Sequence, residues 1–137
     1  MKRLALTLAI GWTIFAFWIL LYPGEKIPYA VGKYDKEGHF LLDFILAFLW
    51  TWVFRLTWKW PLWLLILVPV AISAGHAGLS EGLQWLFKSL NRSSDSGDFI
   101  AGLKGGCSGT VSYILIYLAT RSPRPIKVFV ERSLGWT

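Results

Sequence analysis

Apolar residues fall in long, nearly unbroken runs separated by short polar segments, a pattern unlike the alternation of half-buried strands or the narrow stripe of a surface helix. The runs cover about 4–21, 39–54, 62–83 and 99–119. A bilayer core is crossed by ~20 apolar residues rising about 1.5 Å each. Backbone amides left unpaired in hydrocarbon are too costly, so each run predicts a helix. Tyr22-Pro23-Gly24 breaks the first run, Pro61 suits the first turn of the third, Pro69 lies within it, and Arg121 with Pro123 and Pro125 closes the fourth. The expectation is one all-α, polytopic membrane domain over 1–137 with four transmembrane helices. The first run exceeds the ~7–15 residues of a signal-peptide core, and no A-x-A-like site promptly follows it, so it reads as a retained span.

Composition agrees with a membrane chain. Of 137 residues, 55% are hydrophobic and only 16% charged, with a mean hydropathy of +0.50. Average soluble proteins carry about 25% charged residues, so intrinsic disorder and an ordinary soluble surface are both excluded. Cys107 is the single cysteine and cannot form an internal disulfide; Gly105, Gly106, Ser108 and Gly109 around it mark a packing position. No Walker-type glycine loop or metal-finger spacing occurs. The net charge of +6 is not gathered on one polar module, so no nucleic-acid partner is expected.

Basic loops resist translocation, and their placement sets the direction of the spans. One side holds Lys2, Arg3, Arg55, Lys59, Arg121, Arg124, Lys127 and Arg132 against the single acid Glu131. The opposite side holds Lys26, Lys33, Lys36, Lys88 and Arg92 against the remaining acids. Both termini are therefore expected in the cytoplasm, with the acids at the outer face of the plasma membrane. Trp50, Trp52, Trp58, Trp60 and Trp63 crowd the inner turn as an interfacial belt would, and the basic, partly apolar tail 120–137 suits the anionic inner leaflet.

Ionisable groups within spans are costly and usually face a bundle interior. Asp35, His39 and Asp43 recur every fourth residue and share one helix face. Asp35 is placed to cap the helix, and His39 between carboxylates suits general acid–base work. Glu81 and Gln84 lie one turn apart, with small Ala74, Ala77 and Gly78 beneath Glu81 to admit a neighbour. His76 sits about 140° around the same helix from Glu81 and reads as a packed, hydrogen-bonded histidine. Asp98, Gly102, Gly105 and Gly109 share a face, so Asp98 crowns a stripe of small residues. Asp95 and its neighbouring serines suit a turn or cap, and Arg92 offers a guanidinium fork for phosphate or carboxylate.

Asp35-Lys36 with His39-Phe40, Glu81 with Gln84, and Arg92 followed by Asp98 and a glycine-rich helix together resemble the VanZ-like membrane proteins, over nearly the whole stretch from Tyr34 to about Tyr117. The family often carries an aromatic four residues after the histidine, where this chain has Asp43, and an asparagine four residues after the last aspartate, where it has Gly102. The family is associated with resistance to the glycopeptide teicoplanin and has been likened to polytopic enzymes that exchange or hydrolyse lipid head groups. The resemblance implies that Asp35, Lys36, His39, Glu81, Gln84, Arg92 and Asp98 form one site.

Three functions are open on these residues. An enzyme acting on a phospholipid or lipid-linked wall precursor would use His39, Glu81 and Asp98 catalytically, with Asp35, Lys36, Gln84 and Arg92 holding substrate. His39, Asp35, Glu81 and Asp98 are suitable donors for a divalent cation, although their spacing is not diagnostic of a metal site. A non-catalytic protein would mask a lipid or antibiotic with the same groups. A structural or transport bundle would need carboxylates continuing through the spans. The GxxxG-like spacing of the fourth helix also permits a homodimer.

Overall fold

The computed structural model describes residues 1–26, 34–58, 60–87, 89 and 95–121. Four helices long and apolar enough to cross a membrane make up the architecture. They are α1 (Lys2–Leu20), α2 (Asp35–Thr57), α3 (Leu62–Leu86) and α4 (Ser96–Arg121), with a short 3-10 turn at Gly24–Lys26. The fold is thus all-α and multi-pass, as the apolar runs require. Arg92 and the basic tail beyond Arg121 lie outside the described residues.

α2 and α3 extend beyond their apolar runs, and α4 begins before its run does. Hydropathy marks the thickness of the hydrocarbon, whereas a helix ends where its hydrogen-bond ladder ends. The added turns are polar and carry Asp35 and Asp98. Asp35 is the first helical residue rather than the cap: Tyr34 occupies the N-cap position and makes no side-chain cap bond. The Asp35 carboxylate is instead directed among groups on its own helix and on α4.

α2 packs most extensively on α4, and α4 also packs on α3. The α2–α4 seam is a backbone-to-backbone contact. A Cβ added at Gly105 would strike the Phe40 carbonyl, and one at Gly109 would strike that of Phe44. Both partners advance by four residues in the same sense, so the two helices run parallel. Gly102 fits against Asp43 and Ala77, and Gly106 against Ser73. The glycine face that the sequence offers to a second copy is therefore filled by α2 and α3 of the same chain.

α1 is fastened to the other helices by a few long-range bonds. Trp12 Nε1 donates to the Leu42 carbonyl at 2.9 Å, and Trp50 Nε1 donates to Thr13 Oγ1 at 3.1 Å. Gln84 Nε2 donates to the Leu20 carbonyl at 2.7 Å, satisfying an orphan acceptor at the end of α1. An apolar cluster of Ala5, Ala9, Val53, Phe54 and Leu65 fills the bundle near the α2–α3 turn. Trp58 and Trp60 stack there at 5.2 Å, and Trp60 stacks on Phe54 at 4.6 Å. Large apolar side chains such as Ile14, Trp18, Leu67 and Leu115 point outward, as lipid-facing positions should.

Candidate functional site

The polar side chains gather at the end of the bundle opposite that aromatic turn, where α2 and α4 begin and α3 ends. Because α2 and α4 are parallel and α3 is antiparallel to them, residues far apart in sequence reach the same level. His39, Glu81, Gln84 and Asp98 are all buried, and Asp35 is half-buried. Asp35, His39 and Asp98 each offer a donor atom, and those atoms lie within 4.8 Å of one another. Glu81 Oε1 stands 3.7 Å from His39 Nε2. His39 thus lies beside Glu81 on one helix and beside Asp98 on another, with Asp35 next to it on its own.

The other carboxylate oxygen of Glu81 is committed to holding the entry to α4: Asp95 N donates to Glu81 Oε2 at 2.9 Å. Asp95 in turn accepts from Gly97 N at 2.8 Å through Oδ1 and pairs with Lys36 Nζ at 3.3 Å through Oδ2. The Gly97 amide and the Lys36 ammonium hold the Asp95 carboxyl below the ordinary aspartate range. Asp95 therefore ties the start of α2, the end of α3 and the start of α4 together. Its turn-forming role was legible in the sequence; its links to Lys36 and Glu81 were not, since nothing in the spacing signals them.

Two expected substrate-binding groups are engaged elsewhere. Lys36, 61% exposed at its side chain, lies on Asp95 at the rim. The Gln84 amide is spent on the end of α1.

Roughly 6 Å deeper along α2, one turn below His39, lies a second polar pair. Asp43 is fully buried, and its Oδ1 is 3.0 Å from His76 Nδ1. Ser73 Oγ donates to the Asp43 carbonyl at 3.3 Å, and the Phe17 ring stands edge-on to the His76 imidazole with centroids 4.4 Å apart. The sequence marks His76 as a hydrogen-bonded core histidine, and it is one; its partner on another helix was beyond reach of spacing arguments. Asp43 Oδ2 occupies the space a side chain at 102 would take, since a Cβ on Gly102 would lie 2.6 Å from it. Positions 43 and 102 therefore touch: glycine at 102 makes room for the carboxylate at 43.

Compared with known families, with curated proteins and with solved structures, the chain finds no match.

Proposed function

We propose that the chain is a VanZ-like membrane protein. Its notch, at the extracytoplasmic face of the plasma membrane, receives the phosphate-bearing head group of a lipid or lipid-linked cell-wall precursor, in the context of teicoplanin-type glycopeptide resistance. The observation that carries this reading is the convergence of His39, Glu81 and Asp98 from three helices, buried at one end of the bundle with the half-buried Asp35 beside them. Membrane carboxylates so placed are ordinarily functional. The outward orientation rests on the lysine and arginine distribution.

On this reading the protein works as a head-group transferase or hydrolase. His39 or Glu81 takes the proton from the attacking alcohol or water as its oxygen bonds to phosphorus, the P–O bond to the outgoing alcohol breaks, and the same group returns the proton to that leaving oxygen, while Asp98 orients the groups around it. Lys36, paired with Asp95 but exposed at the rim, supplies positive charge for the phosphate, and the guanidinium of Arg92 offers a fork for the same group. The tethering of Glu81 Oε2 by the Asp95 amide leaves Oε1 facing the imidazole at 3.7 Å, close enough to pair with its protonated form.

The test is head-group release or exchange by the purified protein in nanodiscs containing phosphatidylglycerol or a polyprenyl-linked precursor, followed by mass spectrometry. General acid–base groups contribute roughly 100- to 10,000-fold, so His39→Ala and Glu81→Gln should lower turnover by at least about 100-fold while circular dichroism stays unchanged. Equal turnover in both folded variants refutes the assignment of roles. Saturable lipid binding with no product at all identifies the protein as a masking protein instead.

A further inference from the structure

The donor set at the mouth of the notch has the composition of a metal site. Asp35 and His39 sit one turn apart on α2, the spacing at which two side chains on one helix converge on a common point. Asp98 approaches from α4, and the three donor atoms lie within 4.8 Å of one another. An ion held at ~2.1 Å from each donor requires donor separations of about 3–4 Å, so the groups need draw in by no more than about 1 Å. His39 and Asp98 are buried, whereas Asp35 is half-buried, leaving an approach from the rim.

Glu81 is the second observation. It is buried, and its Oε1 makes no hydrogen bond among the described residues while facing His39 Nε2 at 3.7 Å. A buried carboxylate beside the imidazole is a frequent companion of a metal-bound histidine. The neighbourhood also concentrates three carboxylates, those of Asp35, Glu81 and Asp98, around one imidazole at a low-dielectric rim.

We propose that Asp35, His39 and Asp98 bind one divalent metal ion of the Mn2+ or Zn2+ class between the first turns of α2 and α4, with the Glu81 carboxylate beside His39. Two carboxylates and one imidazole suit these ions better than Ca2+ or Mg2+, which prefer all-oxygen shells. Three protein donors leave coordination positions open to water or to a phosphate oxygen. Any catalytic meaning of the ion rests on the function proposed above, but its binding does not.

The test reads binding without turnover. Chelator-treated protein in dodecyl maltoside micelles is titrated with Mn2+ while the six-line electron paramagnetic resonance signal of free Mn2+ is followed. One Mn2+ should bind per chain, and Zn2+ should displace it, as expected from the higher affinity of nitrogen and oxygen sites for Zn2+. Asp98→Asn and His39→Gln should each weaken binding by roughly tenfold or more, and Glu81→Gln by less. Asp43→Asn, which alters the deeper pair, should leave it intact. Asp35 is half-buried in an outer turn, so Asp35→Asn supplies the same readout if the buried variants fail to fold. Wild-type protein that binds no Mn2+, or folded Asp35, His39 and Asp98 variants that bind it equally well, would overturn the proposal. Head-group turnover that persists in chelator removes the ion's catalytic meaning and leaves the lipid reading standing; Mn2+ binding without any lipid turnover overturns the lipid reading and leaves the ion standing.

Discussion

Alanine at Gly105 or Gly109 should push α2 and α4 apart, because the added methyl would meet main-chain atoms that cannot rotate away. At Gly105 the new carbon would lie 2.9 Å from the Phe40 carbonyl carbon and 3.1 Å from its Cα, in addition to striking the oxygen. Carbon atoms rest ~3.5–4.0 Å apart, so the carbon contacts alone demand a separation of the helices by roughly 0.5–1 Å, and the closer carbonyl oxygen demands somewhat more. Overpacking of this kind costs about 1–3 kcal/mol, and an unyielding backbone places it at the upper end. Alanine recovers about 1 kcal/mol of helix propensity over glycine, leaving a net loss of ~2 kcal/mol at each site. Gly75 on α3 is the internal control, since a Cβ there meets nothing within 4 Å. Reversible unfolding in mixed detergent and dodecyl sulfate micelles, followed by circular dichroism, measures all three. Gly105→Ala and Gly109→Ala should unfold at lower dodecyl sulfate fraction than wild type, and Gly75→Ala at an equal or higher one. If the two seam variants match Gly75→Ala, the helices are not in backbone contact and the parallel register described here is wrong.

Gly102→Ala should cost ~2 kcal/mol in the same assay, from overpacking and from displacement of the Asp43–His76 bond. In an Asp43→Ala background the penalty should shrink by about 1 kcal/mol or more; strict additivity would show that the two positions do not touch. The lowered pKa of Asp95 makes its contribution to stability complete above ~3.9, the value of an unfolded aspartate, and lost as pH falls through the lower folded value. Asp95→Asn should therefore flatten the acid limb of the stability profile relative to wild type, and superimposable limbs would rule out that linkage.

The four helices were legible in the sequence because hydrocarbon leaves the backbone no alternative, and the breaks at Pro23-Gly24 and Pro61 mark their ends without reference to packing. His39, Glu81 and Asp98 stood out for a related reason, as costly groups at the edges of apolar runs. Which of them meet was not legible, since that depends on α2 and α4 being parallel and in contact, a register set by Gly105 on Phe40 and Gly109 on Phe44. The same limit hid the pairing of Asp43 with His76 and turned Asp35 from an expected cap into a member of the notch. Gln84 illustrates the opposite case: a polar side chain near the site can be consumed by the end of a neighbouring helix.

Helices enter the membrane in the order in which they are synthesised, and α4 is the last of the four. Until it docks, His39 and Glu81 lie on a partial bundle that lacks both Asp98 and the Asp95 amide that tethers Glu81. The cluster consequently comes together only once α4 has docked. A chain stalled after α3 would present His39 and Glu81 without Asp98 or the Asp95 amide, so the arrangement of these groups depends on the arrival of the fourth helix.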